Sequence, residues 1–183
     1  MKLFAMIFII LFSTALTHTI SYAEKADRNK PTHIEANQMT YDDTKQVNTF
    51  NGNAVLIRGS LTTKAEKIIV TNTPEGHQIA TLFAPESGLA TFRQKRDGGN
   101  NLWIEAQAKR IEYNNKTEQV KFFSKARLRL LNGNKVTDEV EGELISYNGL
   151  TEFFSVNGNH NERANTGRVR AMLNPLDEKE KSK

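Results

Sequence analysis

A strand-rich motif stated twice constrains this chain more than any other feature. Ile34-Glu35-Ala36 leads to Tyr41-Asp42-Asp43, then to Phe50-Asn51-Gly52-Asn53-Ala54-Val55-Leu56 and Ala65-Glu66-Lys67-Ile68-Ile69-Val70. Further on, Ile104-Glu105-Ala106 leads to Tyr113-Asn114-Asn115, Phe122-Phe123-Ser124-Lys125-Ala126-Arg127-Leu128 and Gly142-Glu143-Leu144-Ile145-Ser146-Tyr147. Each copy alternates short apolar runs with polar turns. Neither copy buries a face alone, so the two must stack into one sheet with an apolar side.

Residues 1–23 read as a cleavable signal peptide. Lys2 supplies the positive start, an apolar run from Leu3 to Phe12 follows, and Ser21-Tyr22-Ala23 is a small-x-small cleavage site. The run decays into Ser13, Thr14, Thr17 and Thr19, short of the roughly 20 apolar residues of a spanning helix. Cleavage is therefore favoured over a membrane anchor. It leaves 160 of the 183 residues, enough for one domain with a real core. An exported chain without cysteine relies on packing and sheet hydrogen bonds, and fits a bacterial periplasm. Residues 24–30 read as a flexible N-terminus, 31–173 as the folded domain, and the charged stretch 174–183 as a disordered tail.

About a dozen short strands are expected, spaced as in an all-β sandwich or barrel. They fall at 31–41, 47–57, 61–70, 79–84, 89–94, 102–113, 120–131, 136–141, 143–147, 152–156 and 168–173. Asn-Gly steps at 51–52, 132–133, 148–149 and 157–158 favour type I′ turns, and the glycine of Asn51-Gly52-Asn53 suits a bulge or a tight turn. Helical character over 64–70 is opposed by the β-branched Ile68-Ile69-Val70.

Catalytic chemistry has little to stand on. His33, His77 and His160 share no metal-ligand spacing, and there is no thiol, nucleophile elbow or phosphate loop. The expectation is a non-enzyme with no metal and no cofactor. Arg127 and Arg129 occupy the strand face opposite Ala126, Leu128 and Leu130. With Arg93, Lys95, Arg96, Lys109, Arg110, Arg163, Arg168 and Arg170 they suit either ordinary solubility or an anionic head group. Export argues against nucleic acid. Ile34, Phe92, Tyr113, Phe122, Leu128, Leu130, Leu144 and Phe154 lie on apolar-periodic runs and read first as core. Yet a repeat-built sheet has two ends, and open ends invite stacking of further copies or an elongated lipid.

These residues, in this order, resemble the OstA-like family. The likeness runs from the signal peptide through Pro31-Thr32-His33-Ile34-Glu35-Ala36, Phe50-Asn51-Gly52-Asn53, Ala65-Glu66-Lys67-Ile68 and Ala90-Thr91-Phe92 to Ala106 and Tyr113. The second copy departs from the pattern, with Ser124-Lys125 in place of the Gly-Asn turn. The resemblance implies a slightly open β-jellyroll of consecutive antiparallel strands built from diverged repeats. It implies lipopolysaccharide as ligand, with lipid-facing residues at Thr32, Ile34, Phe92, Tyr113, Phe122 and Leu128. It also implies head-to-tail assembly with itself and with LptC-like inner-membrane and LptD-like outer-membrane proteins. The interface residues would be Pro31, His33, Glu35, Ala36, Arg168, Arg170, Ala171 and Leu173. Two alternatives fit the same residues: a membrane-anchored LptC-like partner, and a periplasmic structural module binding only protein.

Overall fold

The computed structural model describes residues 27–99, 101–159 and 167–175; the signal peptide, most of the charged tail and His160 lie outside them. Twelve antiparallel strands form one continuous sheet: β1 His33–Glu35, β2 Gln38–Asp42, β3 Val47–Arg58, β4 Leu61–Asn72, β5 Gln78–Phe83, β6 Ala90–Lys95, β7 Leu102–Ala108, β8 Arg110–Asn114, β9 Gln119–Asn132, β10 Lys135–Asn148, β11 Phe153–Asn157 and β12 Arg170–Leu173. The four long strands β3, β4, β9 and β10 each bend and serve two leaves. One leaf runs β1-β3-β4-β6-β7-β9-β10-β12, and the other runs β2-β3-β4-β5-β8-β9-β10-β11. The sheet is thus folded along a ridge, with its apolar side trapped between the leaves. This is the slightly open jellyroll.

The ridge is built where the repeat is most regular. Gly52 and Asn53 take left-handed backbone (φ 79° and 48°) at the β3 bulge, and Ser124 and Lys125 do the same in β9 (φ 62° and 52°). Asn37, between β1 and β2, donates its N–H to the Gly52 carbonyl at 3.0 Å; Lys109, between β7 and β8, donates to Ser124 at 3.0 Å. Each pair of equivalent positions lies 72 residues apart (Asn37 and Lys109, Gly52 and Ser124). Ser124-Lys125 therefore reproduces the bend without glycine. A left-handed non-glycine residue costs about 1–2 kcal/mol, so Ser124→Gly is expected to raise stability by about 1 kcal/mol, read as a higher urea midpoint at unchanged slope. Gly52→Ala should do the reverse, because its Cβ would also lie 2.5 Å from Asn37 Nδ2.

That spacing corrects one correspondence. Ile34-Glu35-Ala36 and Ile104-Glu105-Ala106 are two residues out of register with the remaining repeat; the structure equates Ala36 with Ala108 and pairs Ile34 with Leu56 but Ala106 with Leu128. A slip of two leaves every side chain on its own face, so Ile104 still points inward. Expected strands 31–41 and 102–113 are each split at the ridge, whereas 136–141 and 143–147 merge into β10. Three of the Asn-Gly steps mark turns and bends of other kinds, while that at 51–52 takes the expected bulge. At 132–133 only the glycine has positive φ (61°), at the first central position of the hairpin, as in a type II′ turn; Gly52 forms a bulge.

The core fills the space between the leaves. Phe92 from β6 meets Phe122 from β9 edge to face, ring centroids 5.5 Å apart, flanked by Leu61, Ile68, Leu82, Ile104, Ile111, Leu128 and Ile145.

Candidate functional site

Opposite the ridge the leaves end in turns. One leaf presents the hairpins 58–61, 95–102 and 132–135; the other presents the turns 42–47, 72–78, 114–119 and 148–153. The two rows of turns face each other along a seam. At its β1/β2 end the interior reaches the surface in a cavity of about 230 Å³. Ile34, Phe50, Leu56, Leu61, Val70 and Tyr113 supply its apolar wall, while Thr32, Asn48, Gln78, Asn115 and Arg58 supply its polar part.

Arg58 follows the inward phase of Ala54 and Leu56, so an ionised side chain enters the interior. It is 5% exposed and ion-pairs with Glu118, 4% exposed, at 3.0 Å. The Tyr113 hydroxyl donates to the same Glu118 oxygen at 2.7 Å, and the Arg58 guanidinium lies 5.0 Å from the Tyr113 ring centroid. Arg28 Nε stands 3.7 Å from the other Glu118 oxygen. Burial raises the Tyr113 hydroxyl far above the usual tyrosine range, against the pull of Arg58, so it remains a donor to Glu118. Nearby, Asp27 is buried and accepts from the Ser60 amide and hydroxyl. Asp27 thus departs from the loose segment expected over 24–30.

Three of these four turns, 42–47, 114–119 and 148–153, repeat as strictly as the ridge. Asp42 accepts from the Lys45 amide, Asn114 from the amides of Lys116 and Thr117, and Asn148 from those of Leu150 and Thr151. Each turn ends in a left-handed residue: Gln46, Glu118 and Glu152, with φ of 54°, 51° and 54°. Gln46 bonds back to Asp43, but both glutamates cross the seam. Glu152 receives Arg96 Nη2 at 2.6 Å and the Asp97 amide at 2.9 Å.

Of the positions expected to face lipid, Thr32, Ile34 and Tyr113 line this cavity together. Phe92, Phe122 and Leu128 face the same interior but are close-packed at 2%, 0% and 1% exposure. Of the expected interface positions, His33 and Glu35 are exposed on β1, Pro31 precedes it, and Ala36 packs against the core. Arg170, Ala171 and Leu173 are exposed on β12, with Arg168 just before it. Many of the basic residues are occupied on the outer face. Arg93 and Arg129 flank Glu105, Arg127 bridges Glu139 and Glu141, and Arg170 reaches Glu141. Sequence reasoning missed Arg58, Glu118 and Glu152. The inward strand phase signals the first, and the shared last position of the repeated turn signals the others.

Fold and site together define a class: a non-closed β-jellyroll whose apolar interior opens at one end. Residues 33–153 match the family described as LptA/(LptD N-terminal domain) LPS transport protein. The chain belongs to that family. It is 26% identical over 173 residues to the lipopolysaccharide export system protein LptA of Haemophilus influenzae, covering 94% of this chain and 96% of that one. It is 29% identical over 140 residues to the protein of the same name from Escherichia coli K12, covering 76% and 71%. In fold it is similar to LptH of Pseudomonas aeruginosa, the LptA-homologous periplasmic component of that organism's lipopolysaccharide transport device. That likeness has a TM-score of 0.70 at 18% identity, covering 81% of this chain and 99% of the other.

Proposed function

We propose that this protein is a non-enzymatic periplasmic carrier that holds the acyl chains of lipopolysaccharide between its leaves and extends that path by head-to-tail assembly. The observation that carries the reading is the cavity lined by Thr32, Ile34 and Tyr113, placed at the end where two sheet edges are unpaired among the described residues. Each buried CH₂ is worth about 0.8 kcal/mol, so one long acyl chain crossing water unshielded costs on the order of 10 kcal/mol. An apolar channel removes that barrier without chemistry. Among the described residues no helix is long and apolar enough to cross a membrane.

The test is photocrosslinking. A photoreactive side chain at Ile34 or Tyr113 should capture purified lipopolysaccharide, and one at the outward, exposed Glu66 should not. Equal capture at all three positions, or none at any, would end the carrier reading and leave a module that binds only protein.

Assembly has its own support. Among the described residues β1 and β2 at one end, and β11 and β12 at the other, each pair on one side only. Exposed apolar side chains gather there: Met39 and Tyr41 on β2, Phe153 on β11, Met172 and Leu173 on β12. Unpaired edges of this kind are templates for strand addition. LptC-like and LptD-like domains are the heterologous partners this geometry suits. The double substitution M172D/L173D, at positions 49% and 72% exposed, should leave the monomer folded. It should also abolish concentration-dependent growth in size-exclusion chromatography coupled to light scattering. Unchanged assembly would move the interface elsewhere.

A further inference from the structure

We propose that the seam is a pair of clasps operated by an anionic head group: a phosphorylated amphiphile exchanges for Glu118 on Arg58 and for Glu152 on Arg96, and the leaves part sideways to admit its chains. The inference rests on the carrier reading and adds the route of entry. A cavity of about 230 Å³ sits below the usual range of ligand sites, about 300–1,000 Å³. Beyond it Phe92, Phe122 and Leu128 are close-packed. Several acyl chains therefore enter only if the leaves separate. The ridge cannot part, because four strands run through it unbroken and the Gly52 and Ser124 carbonyls are bonded across it. Separation must hinge there and open at the seam.

Two Arg–Glu pairs cross that seam, and they share an unusual feature. Both Arg58 Nε and Arg96 Nε are buried with no hydrogen-bond partner among the described residues, while Nη2 holds the glutamate. A guanidinium edge binds a phosphate through two parallel N–H groups. On that edge each arginine uses one of its two N–H groups on the carboxylate and has the second left for a bidentate anion such as a phosphate. Glu118 keeps a partner on its own leaf, the Tyr113 hydroxyl, whereas Glu152 gives up the Asp97 amide together with Arg96, because both sit on the hairpin 95–102 of the opposite leaf.

The experiment places nitroxide labels across the second clasp, at Gly99→Cys and Leu150→Cys, and measures their separation by double electron–electron resonance. Without lipid, E152A in this background should broaden and lengthen the separation; an unchanged distribution would overturn the clasp whatever the ligand. Adding purified lipopolysaccharide to the labelled protein should also lengthen it, and the same lipid stripped of phosphate should load about tenfold more slowly, the scale of one charge-assisted hydrogen bond. Bound lipid with unchanged label separation would overturn lateral entry. Equal loading of the stripped lipid would overturn head-group exchange. Absence of any lipid binding would instead refute the carrier reading, with the E152A result still deciding the clasp.

Discussion

Replacing Glu118 with alanine is expected to cost about 3–5 kcal/mol of folding stability, because it strands the Arg58 charge in the interior. Arg58 and Glu118 are 5% and 4% exposed, so water replaces the lost carboxylate poorly. The Tyr113 hydroxyl loses its acceptor in the same step. E118Q should cost less, since the amide oxygen still accepts from Tyr113. The informative variant is R58M/E118Q, which removes both charges together. It should regain most of the loss, giving a coupling energy of about 2 kcal/mol in a double-mutant cycle read by urea unfolding. The loss from E118A should also persist at high salt, because a buried pair is poorly screened. R93A or R129A, on the outer face against Glu105, should cost less than about 1 kcal/mol and lose even that in salt. A cost below 1 kcal/mol for E118A would mean that the seam is wetter and looser than its geometry shows.

The strands were legible because their apolar residues keep a period of two, and Pro74-Glu75-Gly76 and Asp42-Asp43 punctuate them. The division of those strands between two leaves was not, since a bend depends on backbone conformation. Ser124 and Lys125 show why. Neither residue type announces a left-handed bend, yet the 72-residue repeat places them opposite Gly52-Asn53, and the neighbouring strands hold them there. The inward phase also shifts within β4 and β10: Leu61 and Ala65 face in, then Ile68 and Val70; Val140 faces in, then Ile145 and Tyr147. A pattern read with one fixed phase misplaces half of each strand.

The candidate site was harder to see for a related reason. Arginine and glutamate are read as surface residues by type, and here many of them are, pairing across outer strands. Arg58 and Glu118 differ only in position: one on an inward phase, the other at the end of a repeated turn. Composition is blind to both.

Phe92→Asp is expected to unfold the protein outright, and so cannot serve as a probe of lipid binding. Phe92 is 2% exposed and packs edge to face on Phe122, which is fully buried. Truncating such a ring already costs about 3–5 kcal/mol, and an unpaired carboxylate adds several more, against a total stability of roughly 5–15 kcal/mol for a domain of this kind. Loss of the β-sheet circular dichroism signal at 25 °C is the expected readout. Ile34→Asp tests the same interior without that penalty. Ile34 is partly buried on a terminal strand, pairs with Leu56 and borders the cavity, so its carboxylate can turn to solvent. The folded variant should lose lipopolysaccharide capture by at least about tenfold, the consequence of placing a charge where an acyl chain must lie. If I34D captures lipid as well as the unsubstituted protein, the acyl path does not begin at β1, and the two unpaired edges at that end serve protein contacts alone.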